Sequence, residues 1–237
     1  MVFDWHDFHA DPSSIEVKRA LRDHLRVLDK GAVADRNALI DAFVDRRTVL
    51  DVGVVAHSMA NVNSSEWLHG RIRKRARVCL GIDVLEEQVR LLSARGYRVA
   101  CVDAASEVDL GERFERVVLG EIMEHVDNPV RLLQFARRHL VSGGEIFAST
   151  PNCFYVAHIL ESLKFNSTTQ NAEHVGFIPP SAALELGRRA GLELHKIKRV
   201  AVDPKTLSRW GALVVAALGL RRPDTEILSH TYCYYYR

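Results

Sequence analysis

The chain has 237 residues, of which 47% are hydrophobic and 26% charged, with a net charge of +2. That composition excludes a disordered chain, gives enough length for a full core, and is too mildly charged to argue for nucleic acid by itself. Four scattered cysteines (Cys79, Cys101, Cys153 and Cys233) include no CxxC pair, which excludes a disulfide framework and a structural zinc site of the usual spacing.

The first twelve residues carry three aspartates and no apolar run, so they do not read as a signal peptide, and a cytoplasmic setting is expected. Residues 13–29 place Val17, Leu21, Leu25 and Leu28 at helical spacing, with Ser13 and Ser14 as candidate caps and a stop near Gly31. A second helix is expected over 35–45, with Leu39, Ile40 and Phe43 facing inward. Residues 1–45 thus read as an N-terminal helical cap, and 46–237 as the main domain.

From residue 48 the pattern alternates. Short apolar runs at 48–52, 77–83, 97–103, 114–120 and 144–149 are separated by helical stretches at 65–76, 84–95 and 128–140. This order indicates βαβ units and a parallel sheet covered on both faces, most simply a doubly wound α/β fold. Residues 151–179 show little strand pattern and are long for a loop, so a lid is expected at about 151–180. A helix over 180–190 ends at Gly191, followed by strands at 192–201 and 229–236. Tyr232, Tyr234, Tyr235 and Tyr236 fall in the last strand, where alternation puts some in the core and some outside. Between these strands, residues 210–220 are nearly all apolar but fall short of the ~20 needed to span a bilayer. They suit a buried helix or a homodimer face, with membrane-surface contact as the alternative and no stable insertion.

Ligands of open α/β sheets sit outside the carboxyl ends of the strands. Here successive strands end in Asp51-Val-Gly53, Asp83, Asp103-Ala104 and Gly120-Glu121. One such acid is commonly a helix cap. Four on one edge exceed what capping alone requires. The first turn contains a single glycine, and Asp83 lies farther from it than the ~20 residues of a dinucleotide fingerprint, which disfavours NAD and FAD.

The segments VLDVG, LGIDVLEEQVRLLSARGY, VDAAS, FERVVLGEIMEHVDNPVRLL and HLVSGGEIFASTPN resemble the class I S-adenosylmethionine-dependent methyltransferases over residues 46–200. The resemblance implies a mostly parallel, seven-stranded Rossmann-like sheet with helices on both faces. It also implies S-adenosyl-L-methionine as cofactor. Asp51 and Gly53 would lie under its methionine part, where glycine lets the backbone approach closely. Asp83, with Val84 beside it, would accept from the ribose hydroxyls. Asp103 would accept from the adenine amino group, with the Ala104 backbone at the ring edge, and Gly120 and Glu121 would line the amino end. Val55 and His57 stand where the family has glycines, so His57, Ser58 and Asn61 are candidates for the contacts that glycine backbone makes.

Glu121, Glu124, His125 and the distant His174 form a second constellation. Two carboxylates and two imidazoles suit a divalent metal, Mg²⁺ or another, provided a helical turn brings Glu121 and Glu124 to one face. The pattern resembles metal-dependent family members: small-RNA 3′-end 2′-O-methyltransferases and ubiquinone-pathway O-methyltransferases. The alternative is metal-free, with His125 or His174 as general base. The basic run 71–77 reads either as a phosphate-contacting patch or as a solvated helix face opposite Trp67, Leu68 and Ile72.

The function expected is methyl transfer to a hydroxyl of a small molecule, a sugar or secondary metabolite. The N-terminal helices and the lid close over the acceptor, and Phe154, Tyr155, Ile159 and Phe165 shape its pocket. Two alternatives stand beside it. One is a metal-dependent RNA 3′-terminal 2′-O-methyltransferase. The other is a non-catalytic cofactor-binding or interaction module, motivated by the glycines missing at 55 and 57.

Overall fold

A computed structural model describes residues 3–55, 62, 64–202 and 225–237. The expectations for His57, Ser58, Asn61 and residues 210–220 lie outside the described residues. Helix α1 (Ile15–Leu28) starts where the Ser14 hydroxyl accepts from the Val17 N–H at 3.2 Å. It runs directly into β1 (Asp29–Val33), then α2 (Arg36–Val44), capped by Asp35. The alternating part follows as β2 (Thr48–Val52), α3 (Leu68–Arg75), β3 (Val78–Asp83), α4 (Glu86–Ala94), β4 (Val99–Cys101), β5 (Phe114–Gly120), α5 (Pro129–Arg138) and β6 (Leu140–Pro151). Helices α6 (Val156–Phe165) and α7 (Pro180–Ala190) precede β7 (Leu194–Ala201) and β8 (Ser229–Tyr236).

One sheet runs in the order β1-β7-β8-β6-β5-β2-β3-β4. Only β8 is antiparallel to its neighbours, β6 and β7. The sheet therefore has eight strands rather than seven. The extra one, β1, pairs in parallel with β7, and the Asp29–Arg199 ion pair at 2.8 Å joins the two. Its DKGAV sequence has too little apolar run to signal a strand, so pairing with β7, not local propensity, makes it one.

Alternate residues of each central strand feed two cores. Leu50, Val117, Leu119 and Ala148 join the core that includes α5 and α7 residues, while Val49, Val118 and Phe147 join Ile40, Val44 and Ile72 of α2 and α3. Burial on both faces explains the unbroken apolar runs. It also corrects the expectation for the tyrosines. Strand β8 is interior to the sheet, so all four are buried. Tyr232, Tyr234 and Tyr236 lie on one face and Tyr235 on the other.

The expected lid is not wholly irregular, because it contains α6. Only Val156 of that helix is buried. Phe154, Ile159 and Phe165, expected to shape the acceptor pocket, are exposed, and Phe154 and Ile159 line two different open clefts. No helix among the described residues is long and apolar enough to cross a membrane.

Candidate active site

Strands β5, β2, β3 and β4 are parallel neighbours, so their carboxyl ends bring Asp51, Asp83, Asp103 and the Gly120–Glu121 pair to one edge. Gly53 takes the turn after β2 at φ +79° and donates its N–H to Ile82 O at 2.9 Å. A side chain there would be strained by the backbone and would also meet Ile122 Cδ1 at 2.7 Å. Asp83 is buried. Its Oδ2 accepts from Val55 N–H at 2.8 Å and its Oδ1 from Leu85 N–H at 3.1 Å. Two bonds leave an ionised carboxylate further lone pairs for a ligand's hydroxyls. Val84 stands exposed beside it, Ala104 is buried, and the exposed Asp103 accepts from Ala105 N–H at 2.7 Å.

The turn after Gly53 is held without further glycines. Val54 and Val55 pack with Trp67 and Leu92, and Trp67 Nε1 donates to Val54 O at 2.8 Å. Val55 thus replaces a glycine with an apolar anchor while its N–H still reaches Asp83.

At the end of β5 the backbone does not continue as a helical turn. Glu121 has φ +59° and its carboxylate pairs with Arg36 at 2.5 Å. The structure therefore groups Glu124, His125 and His174 without Glu121. One ligand atom from each of the three lies within 4.8 Å of the others. The His125 and His174 rings meet edge to face at 4.7 Å between centroids, and His125 Nδ1 lies 3.9 Å from Glu173 Oε2. Val175 N–H donates to Glu124 O at 2.9 Å, tying the late loop to the turn after β5.

Glu124 is 1% exposed, and burial pushes its carboxyl up to about 7. Neither of its side-chain oxygens has a hydrogen bond of good geometry among the described residues, although its own backbone N–H and then the Thr150 hydroxyl act to lower the carboxyl against burial. A buried carboxyl so poorly satisfied, next to two imidazoles, fits a divalent cation.

Residues 18–197 match a family described as a methyltransferase domain. The chain belongs to that family. It is an S-adenosylmethionine-dependent methyltransferase of class I, as the strand-end motifs implied. It is 28% identical over 188 residues to a ubiquinone biosynthesis O-methyltransferase from Leptothrix cholodnii, covering 70% of this chain and 73% of that protein. A mitochondrial ubiquinone biosynthesis O-methyltransferase from Candida albicans is 32% identical over 121 residues, and that match spans 34% of the relative's length. Among solved structures, a SAM-dependent methyltransferase from Archaeoglobus fulgidus superposes with a TM-score of 0.53 at 15% identity, covering 92% of this chain and 98% of that one. The fold is shared at that distance.

Two features of this methyltransferase are not legible in its motifs. His69 of α3 pairs with Asp51 through Nδ1 and Oδ2 at 2.9 Å, both side chains nearly fully buried. Burial raises the Asp51 carboxyl, and His69 opposes that rise. The available signal is that His69 shares a helix face with Ile72, three residues on. The second is Arg36, which occupies Glu121 from the start of α2. The basic run 71–77, by contrast, resolves as a structural face. Trp67 and Ile72 are buried, Arg71 pairs with Asp41 at 2.9 Å, Arg77 with Glu115 at 3.2 Å, and Arg73 lies over the Tyr97 ring.

Proposed function

We propose that this methyltransferase acts on a hydroxyl of a small-molecule acceptor held beside Glu124, His125 and His174. The cofactor lies along the ends of β5, β2, β3 and β4. Asp83 accepts from its ribose and Asp103 from its adenine amino group at the Ala104 edge. Asp51, Gly53, Gly120 and Glu121 surround its methionine end. The observation that carries this proposal is the convergence of the buried Glu124 with His125 and His174 at the end of β5. The O-methyltransferase names of the sequence relatives support oxygen as the acceptor atom. Several arginines of the α3 run are already engaged by Asp41, Glu115 and Tyr97, which favours a small molecule over RNA.

The trio suits a divalent ion. Two imidazoles and one carboxylate match a borderline metal such as Zn²⁺, or Mn²⁺ as a harder ion that still takes mixed nitrogen and oxygen ligands, better than Mg²⁺, which prefers an oxygen shell. When bound, such an ion lowers the pKa of a coordinated hydroxyl toward neutrality. Glu124 then serves in its ionised form and the imidazoles in their neutral form. As the new O–CH₃ bond forms, the C–S bond of the cofactor breaks and the acceptor proton leaves to base or solvent. In a metal-free site the same imidazoles are the bases, since imidazole is the side chain suited to proton transfer at neutral pH.

Methyl transfer to catechol, whose adjacent hydroxyls chelate, provides the test. The expected result is O-methylated product with Mn²⁺ and its loss with EDTA. Product formation indifferent to EDTA would remove the metal and leave the imidazoles as bases.

A further inference from the structure

Among the described residues, a cleft of about 420 Å³ opens between α1, the start of α7 and the β1–β7 side of the sheet, a size suited to a small molecule. Lys18, Arg22 and Arg26 recur at four-residue spacing along its α1 wall, and Arg199 of β7 lines it too. Leu21, Leu25 and Phe154 give the same cleft an apolar body.

The charge is only partly cancelled within the cleft, because its lining has four cations against two acids. Asp29 offsets Arg199, accepting from its Nη2 and from Gly31 N–H, both at 2.8 Å, and Glu226 accepts from the Tyr232 hydroxyl at 2.6 Å. Lys18 and Arg22 have no ion pair among the described residues, and Arg26 reaches only the exposed Asp23. Arg199 is 9% exposed, and its buried Nε has no hydrogen-bond partner among the described residues. Helix α7 begins at the cleft with Pro179, Pro180 and Ser181, and no side chain among the described residues caps it. Its positive end adds to the same field.

The cleft is joined to the candidate site by a short tether. His174 belongs to the trio and Pro179 to the cleft. Five residues of chain span at most ~18 Å, so the two lie within the length of one elongated ligand. Building on the small-molecule acceptor proposed above, we propose that this cleft binds the acidic end of the acceptor, a carboxylate or phosphate carried on an apolar body.

Calorimetric titration of the whole protein at low ionic strength with octanoate, octyl phosphate and octanol, each below micelle-forming concentration, tests this. At least one of the two anions is expected to bind about tenfold or more tightly than octanol and to weaken with added salt. Whichever anion binds more tightly identifies the head group. Replacing Lys18→Gln and Arg22→Gln together, at exposed helix positions that Gln tolerates, is expected to cost the anions about tenfold while leaving S-adenosylmethionine binding unchanged. Equal affinity for acid and alcohol, or anion binding unchanged in the double variant, would overturn the proposal. S-adenosylmethionine titrated into the same samples separates the two claims. Cofactor binding without anion binding removes the acidic-end site alone. Loss of cofactor binding in the parent protein removes the site arrangement on which it rests.

Discussion

Glu124 carries an unusual electrostatic load for a side chain so deeply buried. Its carboxyl is held near 7 against an ordinary value of 4.5, chiefly by burial, with Glu121 adding repulsion. The folded chain therefore keeps a proton that the unfolded chain releases above about pH 4.5, and stability falls as pH rises from there to about 7. In Glu124→Gln the amide cannot ionise. We expect this variant, in EDTA, to be more stable than the parent by about 1–3 kcal/mol at pH 8, with the difference shrinking at about pH 5. Urea denaturation at the two pH values measures it. A parent protein of pH-independent stability would mean that Glu124 is better solvated than its surroundings indicate. The Glu124–His125 pair was legible as adjacent residues after an apolar strand. The exclusion of Glu121 was not, because it depends on the left-handed backbone at that residue and on Arg36, 85 positions earlier in the chain.

At the scale of elements, strands with continuous apolar runs were legible and those made by pairing were not. Strands β2 and β5 fall where the sequence places them, since burial on both faces demands an apolar residue at nearly every position. Strand β1 has no such signal and exists because β7 offers it an edge. Helix α6 was missed for the opposite reason. Its apolar residues are mostly exposed, so no single buried stripe marks it. The tyrosines of β8 show how a strand is tied to the late loop. The Tyr234 hydroxyl donates to Ile178 O at 2.7 Å and the Tyr236 hydroxyl to Ala183 O at 3.0 Å. These bonds anchor the segment that carries His174 toward the trio. Tyr234→Phe leaves the Ile178 carbonyl buried without that donor and is expected to cost about 1–2 kcal/mol. Hydrogen exchange should quicken over residues 175–183 while β2 and β5 stay protected. Uniform exchange across the whole chain would instead indicate that the bond matters only to global stability.

For the molecule as a whole, one topology positions the candidate residues among those described. Four parallel strands present their acids at a single edge, the turn after β5 delivers Glu124 and His125, and the chain returns from α6 to set His174 against them. Two imidazoles and a buried carboxylate so arranged have a joint requirement: they hold a cation well only when all three are deprotonated. Direct titration of Mn²⁺ into the S-adenosylmethionine-saturated protein at about pH 8 and about pH 6, for the parent and Glu124→Gln, tests that requirement. We expect one site on the parent, weaker at the lower pH, and at least ~100-fold weaker in the variant. Binding that is absent from the parent at both pH values, or equally tight in Glu124→Gln, would contradict a metal site built from Glu124, His125 and His174.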